Sequence, residues 1–149
     1  MTDTERLQAL WDRTQIIELM HRYAAGVDSR DWVSLRAMFT DEIGAEMLGL
    51  DADLGIPKVT TPERWIDTVS RGLAQYTVTQ HSMSNHRIEL NGDRALCVTY
   101  VVAQHFKQGE KNQQSIYAMG GYYSNEMVRT ADGWKIGKWK LTGTWETNT

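Results

Sequence analysis

Among 149 residues the chain has one cysteine, two prolines and two phenylalanines. The lone thiol, Cys97, cannot form an internal disulfide and cannot anchor a zinc ion by itself, which fits a reducing compartment. No apolar run reaches the roughly 18 residues that a membrane-spanning helix needs. The opening residues MTDTERLQAL lack a basic stretch followed by an apolar one, so no secretory signal is read and a cytoplasmic location is expected. A large excess of charge of one sign is lacking as well. A net charge of −3 and a pI near 5.8 give no electrostatic reason to expect nucleic acid or an anionic membrane as a partner.

What is present is ordinary globular composition. Hydrophobic residues make up 41% and charged residues 23%, which argues against disorder and for one domain spanning residues 1–149. Six tryptophans, six tyrosines and seven methionines serve either as core or as the lining of a pocket for an apolar ligand.

The apolar period is helical first and strand-like later. Residues 4–27 read as helix, with Ile16, Leu19, Tyr23 and Val27 on one stripe and Ile17, Met20 and Ala24 widening it. Asp12 followed by Gln15 suggests a cap or break near Asp12. Asp28 or Ser29 is expected to cap a second helix with apolar positions Trp32, Leu35, Met38 and Phe39. Residues 43–50 read as a short strand and 51–60 as a loop. Thr61-Pro62-Glu63 opens a helix running to about Leu73. Strands follow at 77–90, 93–106, 114–129 and 134–147. Turns fall at Asn91-Gly92, Lys107–Gln113 and Asp132-Gly133. Helices first and an antiparallel meander after them is the pattern of an α+β fold, a curved sheet with helices on its concave side around one pocket.

Several segments together resemble a known family. Arg22-Tyr23-Ala24-Ala25-Gly26-Val27-Asp28-Ser29-Arg30-Asp31-Trp32, then Leu35 and Phe39, is similar to the opening of the SnoaL-like branch of the nuclear transport factor 2-like (NTF2-like) superfamily. Thr79-Gln80-His81 with Arg87-Ile88-Glu89 continues the resemblance, toward scytalone dehydratase. Asn125-Glu126 through Asp132-Gly133-Trp134-Lys135-Ile136 resembles the family's last hairpin. The superfamily hosts dehydratases, dehydrochlorinases, isomerases and non-catalytic binding domains on one scaffold, so the match is more specific for fold than for activity.

The resemblance implies site residues. Asp28 and His81 match the aspartate–histidine dyad of scytalone dehydratase, hexachlorocyclohexane dehydrochlorinase and bile-acid dehydratase. A carboxylate bonded to one imidazole nitrogen fixes the tautomer and raises the basicity of the other. His105 matches the second catalytic histidine of scytalone dehydratase. Tyr23 matches a tyrosine five residues before the aspartate in bile-acid dehydratase, and is either an acid or substrate anchor or a core aromatic. Departures accompany these matches. Val27 stands where scytalone dehydratase has a tyrosine, Glu46 or Met47 where it has another, and Gly121 and Tyr123 where it has serine and asparagine. Residues 134–149 contain no arginine like that of the bile-acid enzymes. Scytalone itself is therefore not the expected substrate.

The implied function is a cofactor-free lyase eliminating water, or less readily HX, from a small cyclic or aromatic substrate. His81 is the base, Asp28 orients it, and His105 and Tyr23 act as acids or anchors. Trp32, Met38, Phe39, Met47, Trp65, Met83 and Tyr123 are the expected apolar walls. An isomerase or hydrolase on the same groups, and a binding module without chemistry, are the alternatives. No metal is expected, because the histidines at 21, 81, 86 and 105 lack zinc-ligand spacing. Strands apolar on both faces suggest a homodimer or homotrimer. An ideal Asn91-Gly92 turn pairs His81 with Val102 and sends His105 to the opposite face. A bulge between Val98 and His105 is expected if both histidines share a pocket.

Overall fold

Thr2 and Glu5 start the first helix by capping each other. The Thr2 hydroxyl accepts from the Glu5 N–H, and the Glu5 carboxylate accepts from the Thr2 N–H. From there α1 runs unbroken over Asp3–Ser29 in the computed structural model, which describes residues 1–107 and 117–148. The break expected near Asp12 does not occur. Asp12 lies inside the helix, and Arg129 and Trp134 take its buried carboxylate from the far end of the chain. A tertiary partner outcompetes the local cap. Ile16, Leu19, Met20, Tyr23 and Val27 form the buried face of α1, as the periodicity predicts.

The end of α1 differs from expectation in a way that matters for the site. Arg30, left-handed at φ 61°, terminates the helix. Asp31, not Asp28 or Ser29, then caps the short α2 (Trp32–Arg36) by accepting from the Ser34 N–H. This leaves Asp28 free to face the sheet. Phe39 already belongs to β1 (Phe39–Leu48), so this strand starts earlier than position 43. The segment read as a loop contains β2 (Val59–Thr60). Thr61 caps α3 (Pro62–Leu73) as predicted. The long strands are β3 (Val78–Asn91), β4 (Arg94–Phe106), β5 (Tyr117–Thr130) and β6 (Gly133–Asn148). Residues 108–116, which hold most of the expected Lys107–Gln113 turn and the start of the third long strand, lie outside the described residues.

The six strands form one open sheet in the order β2-β1-β6-β5-β4-β3. The meander from β3 to β6 is antiparallel as expected, but β1 runs parallel to β6, so the sheet is mixed. Alternation along a strand reports which side is buried and carries no information about its neighbour's direction. The α1 helix packs on the concave face. The β4 residues Cys97, Thr99, Val101, Ala103 and His105 are buried there, while Tyr100 and Val102 are exposed on the convex face. No helix among the described residues is long and apolar enough to cross a membrane.

The expected bulge exists on the other strand. The hairpin turn is Gly92-Asp93, one residue later than read, with Gly92 at φ 60° and Asn91 paired with Arg94. The register Ile88↔Cys97, continued without a break, would pair His81 with Gln104 and turn it outward. A shift between Ser84 and Arg87 changes the parity, so His81 pairs with Ala103 and shares its face with His105. Asn85 sits in the shift at φ 53°, a conformation asparagine tolerates better than most residues.

Candidate functional site

The last turn of α1 places Asp28 over the start of β3. Its Oδ1 accepts from the His81 imidazole Nδ1 at 2.7 Å and from the Thr79 hydroxyl at 3.0 Å. Its Oδ2 accepts from the His81 backbone N–H at 2.8 Å. Three donors on one carboxylate fix its orientation, and a carboxylate acceptor makes each bond charge-assisted. Arg30 supports the arrangement from behind. Its guanidinium donates to the Thr79 hydroxyl at 3.2 Å and to the carbonyls of Val27, Leu73 and Tyr76. With its oxygen accepting from Arg30, the Thr79 hydroxyl is left to donate its proton to Asp28.

The partners assign both imidazole tautomers. His81 Nδ1 faces a carboxylate, so Nδ1 carries the proton and Nε2 keeps its lone pair. His105 Nδ1 lies 3.0 Å from the Tyr117 carbonyl oxygen, so its neutral ring also carries the proton on Nδ1 and offers Nε2 as an acceptor. The two rings are 6.2 Å apart, edge to face. Tyr76 and Tyr117 flank His105 with ring centroids at 4.7 and 5.1 Å. Burial pushes the His105 pKa below the usual histidine value. The carbonyl bond and the Asp28 carboxylate oppose that shift, and the electrostatic influence of His81 and Arg30 adds to it.

Both histidines open onto a cavity of about 340 Å³ between α1, α3 and the concave sheet. Of the expected residues, Tyr23, Met47, His81, His105 and Tyr123 line it, and Asp28 lies behind His81. Trp32 and Met83 are half-buried and Met38 is buried, but none of the three lines this cavity. Phe39 and Trp65 are buried core, their rings in contact at a centroid distance of 4.9 Å and tilted by 45°. The inner face of the fold is longer than the cavity, and inward orientation alone does not separate wall from core. Tyr23 has both characters. Its ring is buried, its hydroxyl accepts from the Trp139 indole N–H at 2.9 Å, and burial lifts its pKa to about 12.

The sequence reading missed Met119, Trp139 and Leu141 from β5 and β6, Val69 and Leu73 from α3, and Leu54, Tyr76 and Tyr117. A signal existed for Met119, which lies two strand periods before Tyr123 and shares its face. The alternation of Trp139 and Leu141 pointed the same way. Nothing local marks Leu54 or Tyr76, which tertiary packing brings to the cavity. Among the described residues the lining holds one carboxylate, Asp53, and no lysine or arginine. Among the described residues no group of three or more histidine, cysteine, aspartate or glutamate side chains is placed to hold a metal ion.

Against this geometry stands a family match. The family model of the SnoaL-like domain matches residues 8–140. The chain belongs to the SnoaL-like domain family. The uncharacterised protein Rv2910c of Mycobacterium tuberculosis is 27% identical to this SnoaL-like protein over 130 residues, covering 84% of this chain and 80% of the relative. The crystal structure of the Kfla4162 protein from Kribbella flavida superposes with a TM-score of 0.83 at 29% identity, over 94% of this chain and 95% of that one. The hexachlorocyclohexane dehydrochlorinase LinA-type3 from Novosphingobium barchaimii shares the fold with a TM-score of 0.76 at 20% identity, over 98% of this chain and 93% of its own. Helices packed on a curved, open sheet make the architecture NTF2-like, as in a Novosphingobium aromaticivorans protein described as NTF2-like with a cystatin-like fold (TM-score 0.72, 18% identity, 94% of this chain and 86% of that one).

Proposed function

We propose that this SnoaL-like protein is a cofactor-independent lyase that eliminates water from a small, neutral cyclic or aromatic alcohol. The observation that carries the reading is the Asp28–His81 hydrogen bond at 2.7 Å, with His81 on the wall of an apolar cavity beside a second imidazole. A passive apolar pocket gains nothing from a carboxylate held against an imidazole. The dehydrochlorinase that shares the fold is a lyase by its name, which favours elimination over isomerisation or hydrolysis.

In this reading His81 Nε2 takes a proton from carbon. The C–H electron pair becomes the new double bond, the C–O bond breaks, and hydroxide leaves. Asp28 stabilises the imidazolium that forms, and that imidazolium returns the proton to the departing oxygen, so water is released without net proton change. In this reading His105 is an anchor. Held neutral with a free Nε2 lone pair, it serves as an acceptor that anchors a substrate hydroxyl rather than as an acid. Tyr23, with a pKa raised to about 12, serves as a hydrogen-bond donor and not as a titrating acid. The Asp53 carboxylate in the described lining disfavours carboxylate and phosphate substrates.

The test is a metal- and cofactor-free screen of cyclic alcohols and halides for alkene formation. His81→Gln and Asp28→Asn should each lower the rate by at least about a hundredfold while leaving the fold intact, in line with the usual size of general-base catalysis. Turnover that survives His81→Gln removes the proposal. Ligand binding without turnover, indifferent to pH between 5 and 8, would instead identify a binding module.

A further inference from the structure

Away from this cavity, α1 and β3 bring together two histidines that the proposed chemistry does not use. His21 Nε2 and His86 Nε2 are 3.2 Å apart, although 65 residues separate them in the chain. The bulge at Asn85 puts His86 on the helix-facing side of the sheet. The other ring nitrogen, Nδ1, lies 3.0 Å from the Thr99 hydroxyl. With Nδ1–H donating to that oxygen, the lone pair of Nε2 points at His21. Thr99 is fully buried, so the His86 ring is held from within while His21 reaches it from an exposed position on the helix.

We propose that His21 and His86 form a surface-accessible site for a divalent transition metal of the Zn²⁺, Ni²⁺ and Cu²⁺ class, joining α1 to the bulged strand. At metal–nitrogen distances near 2.0–2.1 Å, two cis ligands of a square-planar ion are about 2.9 Å apart and two ligands of a tetrahedral ion about 3.4 Å. The observed 3.2 Å lies between these values, so a metal can replace the shared proton with little movement of either ring. A ligating imidazole is usually oriented by an oxygen acceptor on its second nitrogen, and the Thr99 hydroxyl takes that place here. Burial, reinforced by the nearby His21, holds the His86 pKa below the ordinary histidine value, which keeps the ring in its ligating form at neutral pH. Among the described residues no third histidine, cysteine, aspartate or glutamate completes the set, so water takes the remaining positions and the site is an exchangeable one.

The test uses the full-length protein after chelator treatment, titrated with ZnCl₂ by calorimetry and with CuCl₂ by electron paramagnetic resonance. One equivalent should bind, with two imidazole nitrogens on Cu²⁺, and the melting temperature should rise by about 5–10 °C at a hundredfold excess over Kd. His21→Ala, at an exposed position where folding is unaffected, should weaken binding at least tenfold and leave one imidazole nitrogen on the copper. His86→Ala should do the same. Unchanged affinity in His21→Ala places the metal elsewhere, His81 and His105 included, and overturns the proposal. So does failure of the wild-type protein to bind either ion at millimolar concentration.

Discussion

Replacing Asp12 by alanine tests whether a tertiary ion pair, rather than a local cap, explains why α1 runs through that position. The carboxylate accepts two bonds from Arg129, at 2.7 and 2.9 Å, and one from the Trp134 indole at 3.1 Å. Gln8 adds a fourth at 3.1 Å. The loss is not that of a fully buried pair, because the Arg129 side chain is 33% exposed and keeps Asp93 at 2.9 Å. Trp134 is 6% exposed, so its N–H is left without an acceptor and out of reach of bulk water. An orphaned buried donor costs about 1–3 kcal/mol, and loss of the pair with the partly exposed Arg129 adds on the order of 1 kcal/mol, giving about 2–4 kcal/mol in all. For a chain of 149 residues this corresponds to a melting temperature lower by roughly 5–15 °C. Urea unfolding followed by tryptophan fluorescence measures it, and a double-mutant cycle with Arg129→Ala isolates the pair. The bonds to Arg129, with those to Trp134 and Gln8, outweigh burial and hold the Asp12 pKa below its ordinary value. The stabilisation is therefore complete above about pH 4 and lost as the pH falls through the folded-state pKa. An Asp12→Ala protein within about 1 kcal/mol of wild type would refute the reasoning.

Asn85→Val should destabilise the fold by about 1–2 kcal/mol and Asn85→Gly should be neutral or stabilising, because φ is 53° there; equal denaturation midpoints for the two would remove the strained bulge from the account. His86 and His105 both have folded-state pKa values lowered by burial, so the unfolded chain binds more protons just below pH 6.5. Stability should be full above that pH and decline as the pH drops from about 6.5 toward the folded values, measurable as a falling melting temperature between pH 7 and 5; a rise over that range contradicts the assigned environments. The convex face leaves Tyr100 51%, Val102 39% and Trp145 43% exposed, and these should be covered by a second or third copy of the chain. Light scattering should show a dimer or trimer that Trp145→Glu weakens, and a stable wild-type monomer would exclude it.

Much of this protein is written locally. The helical stripe from Ile16 to Val27, the Thr61-Pro62 helix start and the four long strands follow from apolar spacing and turn residues, because burial on one face imposes a period of about 3.6 or 2 wherever it occurs. The resemblance around Asp28 and His81 was legible in the same way, because it lies in short contiguous segments of the chain. Three features were decided only by the folded chain. Asp12 lost its capping role to an arginine 117 positions away. The parallel pairing of β1 with β6 depends on which edge of the sheet is free once the meander has formed, and no residue of β1 encodes it. The shared face of His81 and His105 depends on a single extra residue at Asn85, and a one-residue slip reverses every side chain beyond it. The sequence thus determines which residues prefer burial, turns and caps, since those preferences act over a few neighbours. Which of the buried residues meet at a cavity is set by contacts between segments far apart in the chain, and there only the tertiary structure chooses.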